Sequence, residues 1–414
     1  MPETGNREVK EVIFRPYKEV KGRKIIYPND ILFARIEPSI FNRKYIWTDD
    51  LKGHDFAFTS TEFYILTPLK TSVKYLFNVL FLDYLYAQVE GRTTGSTGRR
   101  RLDIEVFKRL DIPFPNQAAQ EKIENIFENA FQRKTQKEAK AEELLNGVIS
   151  YLLDKLGIVL PNIINTLNKR IFKRSVSELL GGRFDPRKYE TKVYELLEGL
   201  GESLMTKVKL KSLVISSFAG DWGDDPLKVD NSLNQFTECL VIRSTEFDNE
   251  YNIKINENKV RHRCIKNTKL HKLNVQQNDI LIEKSGGSEN QPVGRVAFLS
   301  PELVEEHTLC YSNFVHKIRV DDTKIIPKYL FFYLKLMHEI KLTEVMQSYT
   351  NGIRNLIMKE YFDMPIILPT MEVQQEIVDY IDSIQMTAKK LQKEAKNELK
   401  LAKEEVEKMI LGDD

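Results

Sequence analysis

The sequence predicts an α+β chain: two β-rich domains related by internal duplication, separated by two long antiparallel, coiled-coil helices. Three observations carry this. The first is self-similarity: KYLF at 74–77 recurs at 328–331, and the same shift of 254 aligns TGRRRLDIEVFKRLDIPFPNQAAQEKI with NGIRNLIMKEYFDMPIILPTMEVQQEI. Gly98 falls on Gly352, Arg100 on Arg354, Leu102 on Leu356, Phe107 on Tyr361, Pro115 on Pro369, Gln120 on Gln374 and Ile123 on Ile377. A slightly different shift lays NDILFARIEPS (29–39) on NDILIEKSGGS (278–288). So many ordered matches mark a tandem repeat. The second observation is local: FAFTSTEFYIL and SNFVHKIRV read as short strands bounded by turn residues. The third is the long apolar seam that follows each proline.

That seam runs Ile377, Ile381, Ile384, Ala388, Leu391, Ala395, Leu399, Ala402, Val406, Met409 in the second copy, with Lys and Glu between. Alternating spacings of three and four define a coiled-coil stripe. About forty residues at 1.5 Å each extend roughly 60 Å. The first copy keeps Ile123, Phe127, Ala130, Ala141, Leu145, Val148 and Leu152, but sets Lys134 and Lys137 in the seam and Gly147 inside the helix. One helical glycine costs about 1 kcal/mol, so the helix survives. A charge-rich helix can also be a dimerisation stalk. Two copies on one chain favour an intramolecular antiparallel pair, because the partner is supplied at no concentration cost.

The expected boundaries are a first β-rich domain at 1–115, a first helix at 116–158, a connector at 159–204, a second β-rich domain at 205–369 and a second helix at 370–412. The repeat is unequal. The second copy has a lead-in from GGRFDPRKY through VKLKSLVISSFAGDWGDD to LVIRSTEF, whereas the first begins near the point matching residue 250. The first domain is expected to be the smaller, whether by truncation or by nature.

With 62 basic and 60 acidic residues the net charge is only +2, so any nucleic-acid contact must come from clustering. Three scattered cysteines with no C-x-x-C pair argue against a disulfide framework or a cysteine zinc site. MPETGNREVK is no signal peptide, and YLFNVLFLDYLYAQV (75–89) is too short to span a bilayer and reads as a buried helix. The expected compartment is the reducing cytoplasm, with no membrane partner.

Catalytic patterns are missing. TTGSTGRRRL (93–102) spaces its glycines too closely for a nucleotide-hydrolysing loop and has no Lys-Ser/Thr after Gly98. NDILIEKSGG offers Asp279 and Glu283-Lys284, but a metal-dependent nuclease needs E-x-K, and neighbours on a strand face opposite sides. The basic loop residues serve better as ligands for DNA. Arg35, Arg43, Lys44, Arg99 and Arg100 in the first copy, and Lys284, Arg295 and Arg354 in the second, stand among Asn, Ser, Thr and Gln in or beside turns. Arginine can bond base edges bidentately, and lysine holds phosphates. A non-catalytic coiled-coil adaptor that binds proteins rather than DNA is the competing reading; a steep salt dependence of binding separates the two.

The Thr/Asn-Gly-x-Arg-x-Leu loop with its following aromatic and I-P-x-x-P-type strand, the PNQAAQEKI and PTMEVQQEI helix starts, GGRFDPRKY, and NDIL in each copy together resemble the DNA-specificity subunits of type I restriction–modification systems. The resemblance covers nearly the whole chain. It implies two target-recognition domains, each reading one half of a split double-stranded DNA site, held apart by the helices. It also implies partners: two methylation subunits docked on the helices and restriction subunits. The chain itself would bind no cofactor; S-adenosylmethionine, ATP and Mg would belong to those partners. The short first domain, lacking the lead-in around Asp221-Trp222-Gly223, puts the first half-site reader in question, so the second half-site is expected to be bound better.

Overall fold

The computed structural model describes residues 13–96, 100–161, 171, 173–179, 184–230, 232–248, 252–255, 261–287, 291–350 and 352–412. It divides into two compact units, Met1–Glu142 with Thr387–Asp414, and Glu143–Met386.

In the first unit, β1 (Lys24–Ile26), β2 (Asp30–Ala34), β3 (Tyr45–Thr48), β4 (Ala57–Thr59) and β5 (Phe63–Leu66) form two antiparallel sheets, β1-β4 and β3-β2-β5. All five residues of β2 are buried, as expected for a central strand reading DILFA. Its Asp30 survives burial by a turn. Asn29 takes a left-handed φ of 69°, and the Asp30 carboxylate accepts from Tyr27 N at 2.8 Å and from the Thr67 hydroxyl at 2.6 Å. The NDIL motif is thus a strand entry: Asn turns, Asp satisfies the turn, Ile and Leu fill the core.

The apolar run at 75–89 is not one helix. It splits into α1 (Val73–Val79) and α2 (Asp83–Val89), with Phe81 N and Leu82 N bonded to Asn78 O and Val79 O at the break. The break lets Asp83 open a new helix, where it binds Arg43 and Lys403. α1 and the break pack on β3 through Tyr45, Phe77 and Phe81, whose rings meet edge-on at 5.0–5.5 Å. A two-stranded finger, β6 (Thr93–Thr94) with β7 (Arg101–Leu102), follows.

The second unit repeats this plan with additions. Its strands are β8 (Thr206–Lys209), β9 (Val214–Ala219), β10 (Phe236–Ile242) and β11 (Arg261–Lys266), followed by α3 (Asn267–Leu273). Then come β12 (Ile280–Glu283), β13 (Val296–Phe298), β14 (Leu309–Tyr311), β15 (Val315–Val320) and the buried helix α4 (Pro327–Glu339). The finger β16 (Gln347–Thr350) and β17 (Ile353–Leu356) and the strand β18 (Pro365–Leu368) close the series. The order β13-β12-β15 reproduces β3-β2-β5, and β9 extends it by one strand; among the described residues the first unit's sheet ends at β5. A further sheet, β11-β10-β14, forms a separate core around Val241, Leu281 and Cys310. The Asp221-Trp222-Gly223 turn packs onto it. Gly223 has φ +65°, and a Cβ there would meet Ile265 at 2.5 Å and Cys264 O at 2.7 Å, so only glycine fits. Trp222 lies half-buried under the Arg263 guanidinium, 5.2 Å from its ring.

Shared hydrogen bonds confirm the duplication. Tyr75 donates to Pro113 O at 2.6 Å and its counterpart Tyr329 to Ile367 O at 2.7 Å. Gln120 donates to Pro115 O and Gln374 to Pro369 O, each at 2.9 Å.

The two long helices span Gln117–Leu156 and Met371–Leu411. In each unit they pack antiparallel within one chain. The first unit buries Ile123, Phe127 and Ala130 with Leu399, Ala402 and Val406. The second buries Leu152 and Leu156 with Ile377 and Ile381, and stacks Tyr151 on Tyr380 at 4.0 Å. The polar Lys137 in the seam is answered by Glu394 and Glu398 at 3.0 and 2.8 Å, and its hydrogen bond, reinforced by Arg133, holds the Glu398 carboxyl below the usual range. Gly147 is exposed, helical and has open space where a Cβ would go. Gly147→Ala is therefore expected to stabilise the chain by about 0.5–1 kcal/mol, read as a shift in the urea midpoint at unchanged slope.

Candidate nucleic-acid interface

Each finger docks on the end of its unit's central strand. In the second unit, Leu356 is buried and its N donates to Lys284 O at 2.7 Å, while Gly286 N donates to Arg354 O at 3.1 Å. Ser285 Oγ reaches Asn355 Oδ1 at 2.6 Å. In the first unit, Leu102 N donates to Arg35 O at 2.8 Å and Glu37 N to Arg100 O at 2.9 Å. The fingers share a register, Thr93↔Leu102 in one and Gln347↔Leu356 in the other. Residues 65 to 70 positions apart in sequence are so brought together: Arg35 with Arg100, and Lys284 with Arg354.

The two sites differ in charge. Arg100 Nε lies 3.2 Å from the Glu37 carboxylate, and its Nη2 donates to Thr93 O at 2.7 Å. Gly286 occupies the position of Glu37, so Arg354 faces no such acid. Neither its guanidinium nor the Lys284 ammonium has an ion pair among the described residues. Across the second finger from Arg354 stands Tyr349, 72% exposed, an aromatic surface that sequence reasoning missed. The neighbouring Arg101 is bound bidentately by Glu62, whose carboxyl that hydrogen bond holds below its ordinary range. Arg35 stacks over the Tyr64 ring at 5.4 Å.

The remaining candidates separate. Lys44 is half-buried at the start of β3, with no side-chain partner among the described residues. Arg43 is spent inside the first unit: it binds Asp83 and the Phe81 carbonyl and lies 4.8 Å over the Tyr86 ring. Arg295 is a core residue, 8% exposed, with bonds to Glu283 at 2.8 and 3.1 Å and to the Ser244 and Phe247 carbonyls. The structure thus brings neither to its unit's finger. Arg99 lies outside the described residues. The same pairings explain the nuclease-like NDILIEK: Glu283 belongs to Arg295, and Asp279 to Lys317 and Arg319 at 3.1 and 2.7 Å.

His316 lies behind Lys284. Its Nε2 meets Ser217 Oγ at 2.6 Å, its Nδ1 is buried without a partner among the described residues, and burial, aided by the Lys284 charge, pushes its pKa down to about 4. The folded imidazole is neutral, whereas the unfolded one binds a proton below about 6.5. Stability is therefore lost as pH falls from about 6.5 toward 4, by up to about 3 kcal/mol. Buried His338 acts in the same direction. In His316→Gln the loss of stability between pH 7 and 4.5 should shrink; an unchanged loss would show that this imidazole is protonated in the fold.

The two units thus repeat one plan: a finger of the same register docked on the end of the central strand, beside paired long helices. Residues 17–146 and 237–401 match the family model described as the type I restriction modification DNA specificity domain. The chain belongs to this family: it is a DNA-specificity subunit of a type I restriction–modification system, a kind of subunit that carries no catalysis of its own, and the protein-binding adaptor reading is not favoured. No curated protein matches the chain. Among solved structures, it is similar to a chain from work on the structural basis of complex assembly and conformational transition of the type I R-M system. That match has TM-score 0.52 at 17% identity and covers 94% of this chain and 84% of that one. The HsdS subunit from Thermoanaerobacter tengcongensis matches at TM-score 0.39 and 17% identity, over 96% and 85% of the two chains. The type I S subunit from M. genitalium matches at 0.39 and 14%, over 93% and 83%. Among the described residues no helix is long and apolar enough to cross a membrane.

Proposed function

We propose that the chain reads a bipartite duplex DNA site, one half per unit, and positions two methylation subunits and the restriction subunits on it in the cytoplasm. The readers are the regions 1–115 and 205–369, and the helical segments 116–158 and 370–412 carry the partners. The observation that supports this most is the repeated finger: the same register, the same docking bond, and Arg100 or Arg354 beside Arg35 or Lys284. Arginine with an aromatic neighbour suits base edges, and lysine suits phosphate. Target bases would leave the stack for methylation in a partner subunit, where S-adenosylmethionine binds; ATP and Mg likewise serve partner subunits.

Selection from a random duplex library with the methylation subunit present tests the reading. The expected result is two short specific blocks flanking unread bases; a single ungapped block, or none, sinks it. Because Glu37 engages Arg100 and no acid among the described residues engages Arg354, the block read by the second unit is expected to be the better protected in a footprint.

A further inference from the structure

The two fingers share a root but not a length. Among the described residues, β6 and β7 make the rungs Thr93↔Leu102 and Thr94↔Arg101, and Gly95 then leaves the strand at φ +124°. In the second finger β16 and β17 continue for two more rungs, the first of which sets Tyr349 opposite Arg354. Gly95 is thus the counterpart of Tyr349, and the first finger docks through Leu102 with no side chain at that position. Tyr349 is 72% exposed, and among the described residues neither its ring nor its hydroxyl has a partner. Docking the finger therefore does not call for an aromatic at this rung.

The family fixes the ligand class as DNA, and the cations of Arg354 and Lys284 suit it. A two-stranded ribbon fits the major groove, where an arginine can bond O6 and N7 of a guanine bidentately. Residues directly opposite on a ribbon share a face and lie about 5 Å apart, while bases follow one another every ~3.4 Å along a strand. With Arg354 on a guanine, the Tyr349 ring comes to the edge of a neighbouring base pair. Ring carbons set against N7, O6, N6 or N4 would strip water from those groups and return no hydrogen bond. The apolar group on a major-groove edge is the 5-methyl of thymine.

We propose that Tyr349 is a specificity-determining residue of the second unit, its ring packing on the 5-methyl group of a thymine next to the guanine that Arg354 bonds. This rests on the reading above, in which the second finger contacts the duplex, and adds the base that the ring selects.

The test uses the full chain with the methylation subunit and duplexes carrying the selected site. Each thymine in the block of the second unit is replaced in turn by deoxyuridine, which lacks only the methyl. One thymine beside a guanine should respond with about three- to fivefold weaker binding, the worth of one buried methyl. Tyr349→Ala should bind the two duplexes equally, with the salt slope unchanged because no charge is lost. Tyr349→Phe should keep the preference, since the ring and not the hydroxyl makes the contact. Cytosine at that thymine should weaken binding, and 5-methylcytosine should recover part of the loss, which separates the methyl from the rest of the base. A wild-type chain indifferent to deoxyuridine, a Tyr349→Ala chain that still prefers thymine, or a Tyr349→Phe chain that does not, overturns the proposal. If Lys284→Ala with Arg354→Ala then still loses affinity, the finger remains a DNA reader and only the role of Tyr349 falls. If that double variant binds as the wild type does, the reading of the finger falls with it.

Discussion

Asp279→Ala is expected to destabilise the second unit by about 3–5 kcal/mol, enough to unfold a marginal domain. Asp279 is fully buried, and so is the Lys317 side chain whose ammonium it meets at 3.1 Å; Arg319 bonds the same carboxylate at 2.7 and 2.8 Å. Among the described residues, removing the acid leaves Lys317 with only the Asn274 carbonyl at 3.3 Å and a like charge beside it. Burial already pushes the lysine's pKa down, so the ammonium is held there by Asp279. Two comparisons check the cause by urea titration. Lys317→Met keeps Asp279 paired with Arg319 and should cost less than half as much. Asp30→Ala, at the same motif in the first unit, loses a hydroxyl and one backbone N–H partner and should cost about 1–3 kcal/mol. Equal losses in Asp279→Ala and Lys317→Met would mean that packing, not charge, sets the penalty.

The second large effect is on DNA. Lys284→Ala with Arg354→Ala removes two cations that no acid among the described residues answers, from a finger whose fold rests on Leu356, Ser285 and Asn355. Affinity for the selected duplex is expected to fall about 10- to 100-fold, with the slope of log affinity against log salt flattened by about 1–2. The urea midpoint should stay in place. Glu37→Gly makes the converse change: it frees Arg100 and gives the first finger the charge of the second. Its affinity should rise a few-fold at low salt. An unchanged affinity in the double variant would take the fingers out of the interface.

Much of this was legible in the sequence, and for definite reasons. The shift of 254 that aligns KYLF also aligns Tyr75 with Tyr329 and Gln120 with Gln374, because these side chains hold identical carbonyls. The helical seam was visible because burial of Ile377, Ile381, Ala388 and Ala395 needs that spacing. Gly-x-Arg-x-Leu marked the fingers because the leucine must reach the core. The misses share a cause: a partner distant in sequence. Arg43 and Arg295 look like other loop cations until Asp83 and Glu283 are placed beside them. Glu37 and Gly286 become equivalent only when the strand shift and the finger shift, which differ, are applied together. The single helix expected at 75–89 failed because hydrophobicity alone does not show that Asp83 has Arg43 and Lys403 waiting for it.

The chain has two tryptophans, and they are divided one to each unit. Trp47 lies in the first unit at 8% exposure, 5.9 Å from the Phe77 ring, while Trp222 lies in the second beneath a guanidinium. The molecule therefore carries two separate emitters in unlike surroundings, a shielded indole against hydrocarbon and a cation-capped one nearer water. Trp222→Phe leaves a chain whose fluorescence follows the first unit alone, and Trp47→Phe one that follows the second. Loss of the two signals at different denaturant concentrations would make the protein two cooperative bodies rather than one.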